Sequence, residues 1–355
     1  MLAALSYGDA IGNEAIRIQQ ILRDEGFDSE IFAESVHPEM AGRAKKLWDY
    51  RNIASPDNLL ILHFSIGAGV STFAYHLPDP ILLIYHNITP ARWFATFHEH
   101  LAGLCYHGRR ELSAFVPRVR LALGDSEFNR AELEAVGFHP TGVLPLLLDP
   151  NRLTEEPSPV VVEMFDDDKT NFLFVGRVIP NKCFHDLIKV FAFYQKFIDS
   201  NSRLLLVGEW VGFEKYYEAL VRLVDDLQLK DVVFTGHVDD DDLSAYYEVA
   251  DLFLCLSEHE GYCVPLVEAF RFGVPVMAAD AGAVPETLGD AGVLIREKRL
   301  DEIGLMAHAI VTDDALAQKI VDGQYRVLDR MEALDHTAML MRFVNQAMAT
   351  ETVSR

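Results

Sequence analysis

Short, continuous runs of apolar residues alternate along the chain with longer stretches in which apolar residues recur at helical spacing. In the first half, the strands predicted by such runs are Leu59–Phe64, Ile81–Tyr85 and, more weakly, Arg120–Gly124. Helices are predicted at Glu14–Glu25 and Asn129–Val136. Strands that are apolar at every position and alternate with helices are typical of parallel sheets covered on both faces. The pattern therefore predicts an α/β protein with doubly wound parallel sheets.

The second half repeats this alternation more clearly. Its predicted strands, the first four each followed by a helix, are Asn171–Val175, Arg203–Val207, Val232–Thr235, Leu252–Leu256 and Val274–Ala278. Between the halves, prolines and consecutive aspartates interrupt any apolar periodicity from Asp149 to Asp168. We therefore predict two Rossmann-like domains, residues 1–150 and 151–335, with a C-terminal helix at 336–355 that crosses back to the first. Two such domains would face a central cleft that holds the ligand.

Composition and charge narrow the function. The 355 residues carry 31 Lys and Arg against 54 Asp and Glu, a net charge of −23, and 50% of them are hydrophobic. This acidity argues against a nucleic-acid-binding protein, and the apolar content excludes disorder. The four cysteines form no CxxC pair, and no apolar run approaches the about 20 residues of a membrane-spanning helix. Because the first residues also lack the basic start of a signal peptide, we expect a cytoplasmic protein with at most peripheral membrane contact.

Two short patterns are weak signals of other chemistry. Gly67-Ala68-Gly69 follows a predicted strand as in dinucleotide-binding motifs, but Thr72 occupies the third glycine position and no acidic residue follows at the required distance. Asp239–Asp242 is predicted to begin a helix, because negative charge suits a helix N-terminus. Four adjacent carboxylates with no other ligand make a poor metal cage. Neither pattern predicts an NAD or a metal site.

Two cations follow the predicted strand Asn171–Val175. Arg177 lies directly beyond this strand, and Lys182 comes five positions later, just before a predicted helix. Arginine offers a planar fork for phosphate oxygens, lysine offers a mobile point charge, and the helix N-terminus adds backbone N–H donors. This arrangement is suited to a diphosphate, and the alternative is a pair of ordinary surface cations.

Two glutamates follow the predicted strand Leu252–Leu256. Glu260 lies on the loop after this strand, and Glu268 lies on the next helix among apolar residues that favour a buried side chain. Carboxylates accept hydrogen bonds from hydroxyl groups. The pair could therefore hold the sugar and ribose hydroxyls of a nucleotide-sugar, and the alternative is two unrelated glutamates on an exposed helix.

In order and spacing, these motifs resemble the donor domain of the retaining glycosyltransferases of family 4, which have the GT-B fold. The resemblance covers Asn171–Ile295 and is weaker in the first half. Its other motifs in the second half are Phe234–Val238, Tyr246-Tyr247, Ala250-Asp251, Gly273–Val276 and Val284–Glu286, and those in the first half are Tyr7–Asn13, Ser126–Asn129 and Leu144-Pro145.

The resemblance implies a role for each motif of the second half. Arg177 and Lys182 would hold the donor diphosphate and stabilise the charge that develops on the leaving nucleotide. Glu260 would position the donor sugar, and Glu268 would accept hydrogen bonds from the ribose. The remaining donor-binding residues implied by the resemblance are Val238, Gly261, Tyr262, Cys263 and Val264.

In the first half, the resemblance implies that Gly12 lets the N-terminal loop approach the phosphate or the acceptor closely. His86, directly after the predicted strand Ile81–Tyr85, matches the active-site histidine of the family, and the alternative is a histidine of the core. For His63, which lies at the end of the preceding predicted strand, the sequence favours neither interpretation over the other. A helical stretch is predicted for Trp93–His107, which contains His98, His100 and His107. We interpret it as a surface or acceptor-binding helix rather than a metal site, and a lipid-linked acceptor would need it.

The resemblance also implies a reaction that retains the anomeric configuration. A double displacement would need a carboxylate below the anomeric carbon, and the sequence identifies none. We therefore expect a front-face path in which the leaving phosphate accepts the proton of the acceptor. No metal and no cofactor are expected, because Arg177, Lys182 and helix dipoles replace the metal. The donor would be a GDP- or UDP-sugar, with GDP-mannose slightly favoured by the segment His86–Pro90, and the acceptor a glycan or a lipid-linked glycan.

The chain departs from the family at two positions. Cys183 and Cys263 stand where the family usually has glycine, and a side chain there could alter the backbone around the donor. This departure leaves open a non-catalytic subunit that only binds the nucleotide-sugar. A glycogen-synthase-like transferase of the same fold is another alternative, whereas the Glu260 and Glu268 pattern disfavours an epimerase.

Overall fold

The computed structural model of the protein describes residues 1–6, 8–149, 152–153 and 156–349. These residues form two compact units: one contains the described residues of Met1–Ala91, His100–Asp149 and Leu334–Arg355, and the other those of Arg92–Glu99 and Pro150–Ala333. Tyr7, which begins the predicted glycine loop, lies outside the described residues.

The strands of the described chain are short, and most of its helices follow a strand. The strands are β1 (Leu2–Leu5), β2 (Phe32–Val36), β3 (Lys45–Lys46), β4 (Leu60–Phe64), β5 (Ile81–Tyr85), β6 (Val119–Gly124), β7 (Thr141–Val143), β8 (Thr170–Val175), β9 (Ser202–Val207), β10 (Val232–Gly236), β11 (Leu252–Cys255), β12 (Val276–Ala279) and β13 (Val293–Ile295). The helices are α1 (Ala10–Asp24), α2 (Gly69–Tyr75), α3 (Glu99–Ala114), α4 (Glu127–Val136), α5 (Pro159–Phe165), α6 (Phe184–Phe197), α7 (Glu214–Asp226), α8 (Asp240–Glu248), α9 (Val264–Arg271), α10 (Val284–Leu288), α11 (Leu300–Thr312), α12 (Asp314–Glu332) and α13 (His336–Met348).

The first unit contains two parallel sheets, in the strand orders β1-β2-β3 and β4-β5-β6-β7. Every residue of β5 is buried, as its continuous apolar run predicts. The amphipathic helices α1 and α13 cover this region with apolar side chains because burial of such surface drives packing. The shared core contains Ile18, Ile21, Leu82, Ile84, Leu121, Leu123, Leu340, Phe343 and Val344. The C-terminal helix is therefore built into the first unit.

The second unit contains one parallel sheet in the strand order β10-β9-β8-β11-β12-β13. The chain winds outward from β8 to β10 on one side, then returns beside β8 and winds outward from β11 to β13 on the other. In open sheets of this kind, ligands bind outside the carboxyl ends of the strands at the point where the winding reverses. In this unit that point lies between β8 and β11.

The aromatic segment before α3 differs from its prediction. The predicted helix across Trp93–His107 begins only at Glu99, and the short helical turn Ala91–Trp93 precedes it. Phe94 packs against Phe213 with the ring centroids 5.6 Å apart, and Arg92–Glu99 belong to the second unit instead of the first. The physical reason is burial, because a surface helix would leave these aromatic rings exposed. The predicted start of the helix was therefore wrong, and a role of α3 in acceptor binding stays a prediction.

Within the described part of the chain, no helix combines the length and the apolar character that crossing a membrane requires.

Candidate active site

An ion pair lies at the switch point of the second sheet, which is the point between β8 and β11 where the winding reverses. Lys182 ends a short helical turn after β8, and Glu260 lies on the loop after β11. The Nζ of Lys182 donates a hydrogen bond to each carboxylate oxygen of Glu260, both at 2.7 Å. Only 18% of the lysine side chain and 6% of the glutamate side chain are exposed. The fold thus brings two of the predicted donor-binding residues together as one buried pair.

The charge of Lys182 is stabilised by this partner. Burial alone lowers the pKa of Lys182, but the Glu260 carboxylate and its hydrogen bonds raise the pKa above its usual value. Lys182 is therefore a protonated donor at neutral pH. Because Glu260 neutralises it, any anion that binds at Lys182 would share the lysine with a carboxylate that is already in place.

The loop that carries Glu260 is held by contacts that the sequence did not predict. The side-chain amide of Asn181 donates a hydrogen bond of 3.1 Å to the backbone carbonyl of His259. The backbone carbonyl of Asn181 accepts a hydrogen bond of 2.8 Å from the N–H of Glu258. Gly282 approaches the same loop so closely that a Cβ there would lie 2.2 Å from the Glu260 carbonyl oxygen. Its φ of +58° also favours glycine. Both residues therefore fix the backbone at Glu260.

Arg177 is less constrained than Lys182. Its side chain is 52% exposed, and its Nε lies 3.5 Å from an oxygen of Glu209. One terminal nitrogen donates a long hydrogen bond of 3.4 Å to the carbonyl of Val211. Such weak contacts leave the guanidinium able to turn toward a phosphate.

Glu268 lies on α9, where both of its carboxylate oxygens meet a protein donor. Arg152 lies 2.9 Å from one oxygen, and the Tyr247 hydroxyl donates to the other at 2.8 Å. Burial lowers the pKa of Arg152, but Glu268 and Asp240 raise it above its usual value. Burial, together with Glu268, also raises the pKa of Tyr247, which stays a neutral donor. Glu268 is therefore a buried, ordered carboxylate, as its apolar neighbours predicted.

The other predicted donor-binding residues lie at the same edge of the second sheet. Val238 follows β10 on the loop before α8, and Val264 is the first residue of α9. Gly261, Tyr262 and Cys263 join Glu260 to that helix. The Tyr262 carbonyl accepts a hydrogen bond of 2.5 Å from Thr287. Their contacts with a donor stay a prediction.

Gly12 occupies a different place from the one expected. It lies in the first turn of α1, not on a loop, and its N–H donates to the Asp9 side chain at 3.0 Å. A Cβ at this position would lie 3.1 Å from the carbonyl oxygen of Ser6 and 3.3 Å from Leu5. The close approach that requires glycine is therefore made by the end of β1, and the predicted loop position was wrong.

The two candidate histidines of the first unit are in contact. Nδ1 of His63, in β4, lies 2.9 Å from Nε2 of His86, which directly follows β5. Both side chains are buried, and Nδ1 of His86 faces Asp125 at 3.4 Å. Each ring nitrogen of His86 therefore faces a protein group. The active-site role of His86 stays a prediction.

Comparison with known proteins shows which families and folds this chain resembles. Residues 161–326 match the family model described as glycosyl transferases group 1. The chain has the GT-B glycosyltransferase fold. Over most of its length this fold matches a sucrose-phosphate synthase from Thermosynechococcus elongatus, with a TM-score of 0.75, 16% identity and coverage of 97% of this chain and 98% of the other. A glycosyltransferase of lipopolysaccharide biosynthesis matches with a TM-score of 0.70, 15% identity and coverage of 99% and 100%.

Curated relatives of this GT-B chain include mannosyltransferases. O-antigen chain mannosyltransferase B of Escherichia coli is 25% identical over 259 residues, which are 68% of this chain and 66% of that protein. A GDP-mannose-dependent phosphatidylinositol monomannoside mannosyltransferase of Mycobacterium tuberculosis is 27% identical over 165 residues, 44% of this chain and 39% of that protein. The matches thus span two thirds or less of these relatives.

The two cysteines at expected glycine positions keep a glycine-like backbone. Cys183 has φ +53° and Cys263 has φ +70°, both in the left-handed region, and each stands directly before a helix. A side chain in this region costs about 1–2 kcal/mol per residue. Both turns therefore have a backbone conformation that glycine adopts without strain, and the cysteine side chains make it strained.

This strain predicts an unusual order of stability at Cys183. Cys183→Gly and Cys183→Ala both remove the buried thiol, but only alanine keeps a Cβ on a left-handed backbone. We expect the glycine variant to exceed the alanine variant in free energy of unfolding by about 1 kcal/mol. Urea denaturation monitored by circular dichroism measures the difference. A more stable alanine variant would show that the position is not strained.

Proposed function

We propose that the protein is a retaining glycosyltransferase that moves mannose from GDP-mannose to a glycan or a lipid-linked glycan. The observation that carries this proposal is the buried Lys182–Glu260 pair at the switch point of the second sheet. A protonated lysine and the N-terminus of α9 are suited to a diphosphate, while Glu260 and Glu268 are suited to hydroxyl groups. The pair thus joins phosphate recognition and sugar recognition at one place.

The choice of donor rests on the relatives. The curated relatives described above are mannosyltransferases, and one of them is named for its dependence on GDP-mannose. Solved structures that hold UDP or UDP-glucose are 17–18% identical to this chain, a level at which they share the fold alone. We therefore favour GDP-mannose over a UDP-sugar.

The state of the two glutamates supports a front-face reaction. A nucleophilic carboxylate would need an oxygen free to attack the anomeric carbon. Glu260 is bonded through both oxygens to Lys182, and Glu268 is bonded to Arg152 and Tyr247. We propose instead that the leaving phosphate accepts the acceptor proton, with Lys182 and Arg177 stabilising the phosphate charge without a metal.

The four cysteines of the chain are free and buried. Unpaired thiols are typical of a reducing compartment, which supports the proposal that the protein acts in the cytoplasm.

The experiment is a donor panel without an acceptor, because glycosyltransferases of this kind are expected to hydrolyse their donor slowly. GDP-mannose should raise the melting temperature by mass action, and it should release GDP faster than UDP-glucose releases UDP. The rate should be unchanged in EDTA, and the released sugar should first appear as the α-anomer by NMR. Activity that is lost in EDTA and restored by Mn²⁺ contradicts metal independence. Binding without any turnover would instead identify a nucleotide-sugar-binding subunit.

A further inference from the structure

A buried cluster of ionisable groups surrounds His86, the predicted active-site histidine, in the first unit. His63 lies in β4, His86 directly follows β5, and Asp125 directly follows β6. Glu14, on α1, completes the cluster and is fully buried. The carboxyl ends of three neighbouring strands thus converge on one helix residue. Four titratable side chains without solvent are costly unless they share charge and protons.

The geometry of the two imidazoles is that of a hydrogen bond. The facing nitrogens are 2.9 Å apart, the ring planes are within 6° of each other, and the centroids are 5.2 Å apart. Each nitrogen lies one ring radius from its own centroid. The distance between the centroids is close to the nitrogen–nitrogen distance plus two ring radii, so both nitrogens lie on the line between the rings and point at each other. A metal bound to both would need the two lone pairs to converge beside this line, at about 2.0–2.1 Å from each nitrogen. One shared proton therefore fits the pair better than a metal ion does.

The surrounding charges favour His86 as the residue that carries this proton. Its Nε2 lies 3.5 Å from Glu14, and its Nδ1 lies 3.4 Å from Asp125. Burial lowers the pKa of His86, but the nearby Asp125 carboxylate and the charges of Glu14 and Asp9 raise it above its usual value. These groups, with His63, are the ionisable side chains that act on His86 from α1, β4 and the residue after β6.

The pKa of His63 is shifted in the opposite direction from that of His86. Burial, the proximity of His86 and the amino group of Met1 lower the pKa of His63 well below its usual value. His63 is therefore neutral and accepts the proton of His86 through Nδ1. Burial also raises the pKa of Glu14 to about 7. Since Glu14 and His86 both hold protons more tightly than usual, the cluster keeps an extra proton near neutral pH.

The same cluster fixes the loop after β5. Asn87 has φ +62°, in the left-handed region, and its side-chain amide donates to Asn129 at 2.7 Å. Asn129 in turn donates to Asp125, the carboxylate that faces His86. Asp125 and Asn129 therefore link His86 to the left-handed backbone position of Asn87 beside it.

We propose that Glu14 is a positioning residue for glycosyl transfer, which keeps a proton on the His63–His86 pair and thereby holds the loop after β5 in its active shape. This inference rests on the proposed transferase function. Glu14 Oε2 accepts no hydrogen bond among the described residues, and it lies 3.5–3.6 Å from both imidazoles. Glu14 therefore acts on the imidazoles through the charge that it carries when deprotonated, and an amide of the same shape, which cannot ionise, should remove this effect.

The test compares Glu14→Gln with the wild type, and Glu25→Gln, at the exposed end of α1, is the matched control. Histidine ring ¹⁵N shifts are followed by NMR across the pH range, beside kcat and KM for GDP-mannose. We expect His86 to lose its proton at least about one pH unit lower in Glu14→Gln, because a carboxylate near an imidazole shifts its pKa by about this much. The pH at which kcat falls should be lowered by the same amount as the pH at which His86 loses its proton. The value of kcat should be reduced about tenfold to a hundredfold, with KM nearly unchanged.

The outcomes separate this inference from the proposed function. An unshifted His86 titration in Glu14→Gln overturns the inference, whether or not activity changes. A His86 shift with an unaltered pH dependence of kcat also overturns it, because the proton would then have no part in transfer. Zinc retained by the wild type and lost in Glu14→Gln, with both facing nitrogens unprotonated, would identify a metal site instead. If the wild type transfers no sugar from any donor, the proposed function fails first and the positioning role with it.

Discussion

Lys182→Met is expected to lower kcat/KM for glycosyl transfer by about 10²- to 10³-fold, the range seen when one donor to a developing oxyanion is removed. Lys182 is a protonated donor at the carboxyl end of β8, where a diphosphate would bind. The charge on the leaving phosphate grows in the transition state, so most of the loss should appear in kcat. Steady-state kinetics with GDP-mannose measures the split between kcat and KM.

A second variant separates catalysis from folding. Loss of Lys182 leaves Glu260 as a buried charge without its partner, which costs about 3–5 kcal/mol of stability. Lys182→Met/Glu260→Gln removes that charge and should recover much of the stability without recovering activity. Lys189→Met, on the exposed face of α6, is the control for a lost surface lysine and should leave activity unchanged. Near-normal activity in Lys182→Met would refute the assignment of Lys182 to the diphosphate.

Glu268→Ala is expected to raise KM for the donor about 10- to 100-fold with a smaller change in kcat, because hydrogen bonds to a charged group are worth about 1.5–3 kcal/mol. Ribose hydroxyls lie far from the breaking bond, so their contacts contribute equally to the ground state and the transition state. The Arg152 and Tyr247 contacts hold the carboxylate ready for this role. Initial rates over a range of donor concentrations measure the change.

The matched control for Glu268 is Tyr247→Phe, which removes one contact to the same carboxylate but leaves its charge. We expect less than about a threefold change in KM for this variant, since a neutral hydrogen bond contributes about 1 kcal/mol or less net. A donor without ribose hydroxyls provides the second arm. The KM for this donor should be nearly the same for the wild type and Glu268→Ala. The reason is that removing the ribose hydroxyls and removing the Glu268 carboxylate eliminate the same interaction. An additive effect would show that Glu268 does not contact the ribose.

Much of the fold was predictable because its strands are buried on both faces. The predicted strand Ile81–Tyr85 matches β5, and Arg203–Val207 matches β9 apart from its first residue. The strands β1, β2, β3, β7 and β13 were not predicted. Of these, β3 is two exposed lysines and β7 is three partly buried residues. Such strands are set by their neighbours in the sheet and carry almost no apolar signal of their own.

The residue types of the site were more predictable than their partners. Lys182 and Glu260 each follow an apolar strand, but their pairing joins residues 78 positions apart and depends on β11 returning beside β8. Arg152 lies in the segment without periodicity between the halves, so no pattern linked it to Glu268. Gly12 was placed on a loop because a glycine motif does not show where the following helix begins. Tertiary contacts decide the first two, whereas the local cap at Asp9 decides where α1 begins.

The assignment of Arg92–Glu99 to the second unit has a consequence for dissecting the protein. The chain passes between the units four times, at residues 91–92, 99–100, 149–150 and 333–334. A C-terminal fragment that begins at residue 150 would lack Phe94 and Phe97. The rings of Phe213 and Tyr216, which are buried in the intact chain, would then be exposed. The second unit is therefore not one continuous piece of sequence, and a soluble isolated version would need the octapeptide 92–99 supplied separately or spliced to its N-terminus.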